Sequence, residues 1–148
     1  MTTIQLIAAG ILAGSLTLAL PNHAAAHGAG PAPVDHIDSL PLLSEVAPEA
    51  IQISPHVPDM GEHWAVPGNL PTGPVYCVIE GRVVCVEYIL DASGFAAGKQ
   101  WTDLSPNMVT PPVSRVDIEY KPDGIGEMTM PLYTMHLYFA DKPLLAGK

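Results

Sequence analysis

The hydrophobic pattern divides this chain into one long apolar run near its start and a succession of short ones after it. Residues 4–20 are apolar apart from Gln5, Ser15, Thr17 and the glycines, and Pro21 breaks the run. That length falls short of the about 20 uninterrupted apolar residues that a spanning helix needs. Ala24-Ala25-Ala26 follows, offering the small residues that a signal peptidase accepts. The reading is a secretory signal over residues 1–26, with His27 as the first mature residue; an uncleaved anchor is the alternative. Residues 27–50 read as a mobile Pro/Gly/Ala-rich leader with at most a short helix, at Ser44-Glu45-Val46-Ala47, before Pro48. Residues 51–142 read as a β domain and residues 143–148 as a C-terminal tail.

From Ile51 onward Pro and Gly are dense and the apolar runs are short, which predicts strands and turns. The clearest element is a hairpin. Residues 75–79 and 82–90 are β-branched and aromatic on both arms, and Glu80-Gly81 forms the turn, with Gly81 where φ must be positive. Residues 113–120 alternate, with Val116, Ile118 and Tyr120 on one face and Arg115, Asp117 and Glu119 on the other. Residues 132–139 place Tyr133, Met135, Leu137 and Phe139 on one face, with Thr134, His136 and Tyr138 opposite. Residues 91–112 are irregular, with a helical turn at residues 100–104. The fold class is mainly β: a small antiparallel sheet closed into a barrel or sandwich, with little helix after the signal peptide.

Charge narrows the partners. The chain carries 15 acids against 6 bases, a net charge of −9, and none of these side chains lies in the signal. Such a surface repels phosphate backbones and anionic headgroups, so neither nucleic acid nor, after cleavage, a membrane is expected as a partner. Export implies a secreted or periplasmic location in an oxidising compartment, which raises the question of Cys77 and Cys85. A two-residue turn pairs Cys77 with Val84 and leaves two buried thiols on opposite faces. A three-residue turn would set the cysteines opposite each other and permit a bridge. Turn preference favours the first.

One set of short motifs is distinctive: Pro58-Asp59-Met60-Gly61-Glu62-His63-Trp64, then Pro67, then residues 70–76, with Glu87-Tyr88, Val116-Asp117-Ile118 and residues 133–138. Together they resemble a family of uncharacterised exported bacterial proteins, the TTHB-type domain of unknown function. The resemblance runs from about residue 55 to residue 139 and is most specific at Met60-Gly61-x-His63-Trp64. It implies a β-rich fold and homo-oligomers, and no reaction. The family pattern has a Gly-His-Glu-Gly turn and a final Pro-His-Tyr-Asp-x-His strand. This chain has Gly124-Ile125-Gly126-Glu127 and Pro131-Leu132-Tyr133-Thr134-Met135-His136. It keeps Glu62, His63 and His136 and lacks two His and an Asp.

Catalytic readings find no support. No Gly-x-Ser-x-Gly elbow is present, and Ser93 and Ser114 have no base nearby in sequence. Residues 94–99 are one residue short of a phosphate loop and are followed by Gln100. Asp117 and Glu119, about 7 Å apart along a strand, read as a solvated face.

The leading expectation is therefore an exported, non-catalytic binding or self-assembling β domain, a homo-oligomer or the receptor of a small ligand, with no cofactor. Its binding residues would be Met60, Gly61, Glu62, His63, Trp64, His136 and Tyr138. Gly61 would give the loop a positive φ, Trp64 would plug one end of the sheet, and Glu62 or Tyr138 would assist the two histidines. The alternative is a Cu or Zn protein. In it, His56, Glu62 and His63 share one loop and His136 comes from the last strand. A second metal route uses His27, whose amine and imidazole suit Cu(II), completed by His36.

Overall fold

The computed structural model describes Ala32 and residues 34–148; the signal segment and His27 lie outside the described residues. Six strands form one antiparallel sheet: β1 (Ile51–Val57), β2 (Gly61–Ala65), β3 (Val75–Ile79), β4 (Arg82–Asp91), β5 (Arg115–Lys121) and β6 (Leu132–Tyr138). Their order is β1-β2-β3-β4-β6-β5, so β1 and β5 are the two edges and the sheet is not closed into a barrel. Three single-turn α-helices, α1 (Leu43–Val46), α2 (Ala92–Ala96) and α3 (Lys142–Leu145), and two 3-10 turns, Ile37–Ser39 and Pro67–Asn69, complete the regular structure among the described residues. No helix among the described residues is long and apolar enough to cross a membrane.

The sheet has this order because its most apolar strands take the middle. Every residue of β3 is buried, as is all of β4 between its end residues, so these strands need cover on both faces. On one face, residues 100–108 lie across the sheet: Tyr76 donates to the carbonyl of Pro106 at 3.1 Å, and Phe95 packs on Trp101 and Tyr133. No helical turn forms at residues 100–104. The helix falls instead at α2, because Asp91 accepts from the Gly94 amide and holds Lys99.

At the hairpin end, the segment before β1 is part of the folded body. Ile37, Leu40 and Ala47 are buried in the main core, Leu43 donates to Gly81 and Val83 donates to Pro41. The chain's last residues are fastened too: Leu145 is fully buried, and the imidazole of His56 hydrogen-bonds the Lys148 carbonyl. The domain boundaries drawn at residues 51 and 142 thus cut through packed structure, because isolated apolar residues between prolines carry no periodicity to mark them.

The hairpin turn is as expected, with Ile79 opposite Arg82, yet Cys77 faces Cys85 and not Val84. A β-bulge lies between: Val78 pairs with Val83, and Val84 is the extra residue. One inserted residue shifts the register by one, so the two-residue turn and a disulfide coexist. Cys77 and Cys85 are joined, with Cα atoms 4.9 Å apart.

On β6 the face carrying the polar residues is the buried one: Leu132, Thr134, His136 and Tyr138 are buried, while Tyr133, Met135 and Leu137 are only half-buried. Phe139, fully buried, lies just beyond the strand. On edge strand β5 the apolar residues are exposed, Ile118 by 65%. The alternation is right, but the polar face turns inward because β1, the segment at residues 70–71 and the β5–β6 connection fold over it.

Candidate functional site

Antiparallel pairing sets the site. His136 of β6 stands opposite Glu87 of β4, and His63 of β2 stands opposite Cys77, whose own partner, Cys85, lies two residues before Glu87. Cross-strand partners share a face, as do residues two apart on one strand. His63, Glu87 and His136 therefore project to the same side. They are among the few buried polar side chains, 8%, 5% and 3% exposed respectively. His63 Nε2 is 3.8 Å from Glu87 Oε2, and His136 Nε2 is 3.5 Å from Glu87 Oε1. One ligating atom from each residue falls within 4.8 Å of the others.

Ser54 anchors the ring of His63. Its hydroxyl is placed to donate to the carbonyl of Pro55 at 2.9 Å. Its oxygen accepts from the backbone N–H of His63 at 3.3 Å and lies 3.0 Å from His63 Nδ1. With the hydroxyl proton donated to Pro55, Nδ1 carries its own hydrogen and the Nε2 lone pair faces Glu87; with that proton donated to Nδ1, the tautomer is the reverse. A neutral imidazole with Nδ1 anchored and Nε2 bare is the arrangement seen in metal-ligating histidines. Register irregularities on both sides of Ser54 in β1 aim its hydroxyl inward.

Burial sets the charges. It lowers the pKa of His63. It lowers that of His136 to about 4, with the nearby His63 adding to the effect. The same desolvation raises Glu87 to about 7; Lys121 opposes the rise and Glu119 adds to it. At neutral pH the floor thus holds two uncharged imidazoles and a carboxyl balanced between its two forms. The close His–Glu contacts are not ion pairs there. His136 Nδ1 and Thr134 Oγ1 are buried without a hydrogen-bond partner among the described residues.

Three donors of type N, N and O suit a transition metal. Around tetrahedral Zn(II), with bonds of about 2.1 Å, ligand atoms sit about 3.4 Å apart. The 3.8 and 3.5 Å contacts engage different oxygens of Glu87, and one atom from each residue lies within 4.8 Å of the others, so the three side chains would draw together around an ion.

The three side chains form the floor of a cleft of about 720 Å³. Its walls are apolar: Ile53, Val57 and Met60 on the β1–β2 side, Ile89 on β4, and Ile125 and Met128 on the β5–β6 connection, with Leu70 and Pro71 closing one end. Ile125 and Met128 exchange two backbone hydrogen bonds, which folds that connection into a flap. Lys121 and Glu127 supply the charged part of the lining.

No family model matches the chain, and no curated protein matches it. Among solved structures it is similar to the hypothetical protein TTHB210 from Thermus thermophilus. The TM-score is 0.51 at 18% identity, over 60% of this chain and 89% of that one. At that identity the likeness speaks for the fold alone.

Of the residues singled out from sequence, His63 and His136 meet in the site, and Met60 lines the cleft. Gly61 has φ +81°, and a Cβ there would lie 2.1 Å from the Val78 carbonyl oxygen, so only glycine fits. Glu62 and Trp64 do not join the site. From Gly61 to Trp64 the block is strand, not loop, so Glu62 and Trp64 point to the opposite face, where the indole N–H donates to Glu62 at 3.0 Å. Trp64 packs against the main core there. His56 binds the chain end instead. Tyr138 stacks on His136 with ring centroids 5.8 Å apart and carries Arg115 on its ring, so it buttresses the imidazole. Glu87 and Ser54 were missed. A signal for Glu87 existed: it is the only charge between Val83 and Leu90 in an otherwise apolar run.

Proposed function

We propose that this is an exported, non-catalytic binding protein whose cleft holds a transition-metal ion on His63, Glu87 and His136, with Zn(II) and Cu(II) as the ions of choice. The observation that carries the reading is the convergence of three buried ligating groups, with the His63 ring anchored through Nδ1 by Ser54. Three protein ligands leave at least one position open toward the cleft. The fold likeness to TTHB210 and the motif resemblance together support membership of the TTHB-type family, and the apolar run over residues 4–20 supports export.

The test is native mass spectrometry on mature protein recovered from the exported fraction, followed by calorimetric titration of the metal-free form with Zn(II) and Cu(II). One ion per chain, lost in His63→Ala and His136→Ala, is the expected result. Absence of saturable binding in the folded wild type would refute the reading.

A second reading, self-assembly, rests on a different observation. Strand β5 is an edge with no strand on its outer side among the described residues, and Val116, Ile118 and Tyr120 lie half-exposed or more along it. Pro55 and two register irregularities interrupt the other edge, β1, whereas the β5–β6 pairing runs unbroken from Arg115 to Lys121. An uninterrupted apolar edge is a surface that another copy of the chain would extend. Ile118→Lys is expected to reduce the oligomer to monomer in sedimentation experiments without lowering metal content.

A further inference from the structure

The cleft above the three ligands has a composition that the ion alone does not explain. Two neutral imidazoles and one carboxylate around a divalent ion leave a net charge of +1 at the floor of a cavity walled by Ile53, Val57, Met60, Ile89, Ile125 and Met128. An uncompensated charge under apolar walls is unfavourable, and a single anionic donor at the open coordination position cancels it. Water would satisfy the ion but not the walls, which extend over a volume in the range of small-molecule sites. Lys121, whose Nζ pairs with Glu119, and Glu127 bring charges of opposite sign to the lining, so between them they leave the charge at the ion uncancelled.

We propose that the metal-loaded cleft receives a small monoanion with an apolar body, its carboxylate-type head on the metal and its hydrocarbon part against the flap formed by Ile125 and Met128. This rests on the metal reading and adds a ligand class to it. Head and body are recognised by different parts of the site. The head needs the ion, and the body needs the walls. Each methylene buried against such walls multiplies affinity about fourfold, so burying four of them strengthens binding by more than about a hundredfold.

The experiment uses the mature chain loaded with Co(II), whose visible absorption reports changes at the ion, after native mass spectrometry has verified one metal per chain. Decanoate, acetate and decanol are titrated in turn. Decanoate is expected to shift the Co(II) bands and to bind at least about a hundredfold more tightly than acetate, with decanol leaving the bands unchanged. Met128→Asp, verified as folded by circular dichroism, is expected to weaken decanoate at least tenfold while acetate and metal content stay as in the wild type. Leu70→Asp, on a different wall, provides the same comparison should Met128→Asp fail to fold. If the protein binds Co(II) but decanoate and acetate bind alike, or decanoate leaves the bands unmoved, the ligand inference is overturned and the metal reading stands. If no metal binds, the metal reading and the inference fall together, and the mass spectrum identifies that case before any ligand is added.

Discussion

Replacing Glu87 with glutamine isolates the electrostatics of the buried floor. The wild-type carboxyl is raised from 4.5 to about 7 by desolvation, which amounts to about 3 kcal/mol against its ionised form, at about 1.4 kcal/mol per pH unit. In metal-free protein the sign follows from linkage. A raised carboxyl favours the folded state fully below 4.5, and that contribution is lost as pH rises to about 7, because the unfolded chain ionises first. His136, lowered from 6.5 to about 4, acts in the other direction: its contribution is present above 6.5 and is lost as pH falls to about 4. His63, also lowered by burial, acts with His136, so in the wild type the imidazoles and Glu87 oppose each other and stability in chelator is expected to rise less with pH than in Glu87→Gln. Glu87→Gln keeps the shape and removes the charge. Its stability is expected to rise between about pH 4 and 6.5, and at pH 8 to exceed the wild type by up to about 3 kcal/mol. In urea, with a slope of about 1–3 kcal/mol per M, the midpoint moves up by about 1–3 M. Saturating Zn(II) should reverse the order, since an ion at a thousand times its dissociation constant adds about 4 kcal/mol to the protein that binds it. A metal-free Glu87→Gln midpoint at pH 8 equal to or below the wild type would refute the account of a buried carboxyl ionising at a cost.

Three further outcomes follow from particular contacts. Ser54→Ala strands Nδ1 and the backbone N–H of His63 in a part-buried position; a loss of about 1–3 kcal/mol in urea unfolding and a tenfold to hundredfold weaker metal affinity by calorimetry are expected. Gly61→Ala forces a Cβ to 2.1 Å from the Val78 oxygen at φ +81°, and thermal melts should show a loss of about 2–5 kcal/mol or failure to fold. Replacing Cys77 and Cys85 together with alanine frees a short loop, expected to cost about 2–3 kcal/mol through the unfolded chain. Peptide mapping of the unreduced wild type checks the bridge itself.

Much of the sheet was legible in the residues. Residues 75–79 and 82–90 with Glu80-Gly81 between them, and the alternation of residues 113–120 and 132–139, reflect local preferences that survive folding, because turn chemistry and a period of two are properties of short segments. Gly61 and the two histidines were legible too. A glycine between Met60 and Glu62 in a Pro-rich stretch, and imidazoles in an acidic chain, carry chemistry wherever they fall.

What only the tertiary structure decided is which residues meet. A single extra residue at Val84 shifts the register and turns two separate thiols into a bridged pair, and no propensity in Val83-Val84 announces that bulge. Alternation says that two faces differ but not which of them another segment will cover. On β6 the polar face is the covered one, since β1 and the flap at Ile125 and Met128 close over it. That cover turns Glu87 from an isolated acid in an apolar strand into the partner of His63 and His136. The sequence alone determines the four strands β3 to β6, the turn and the two imidazoles, whereas β1 and β2 read as a Pro-rich loop. Long-range pairing determines the third ligand and the desolvation that sets the charges, because both depend on strands far apart along the chain lying side by side.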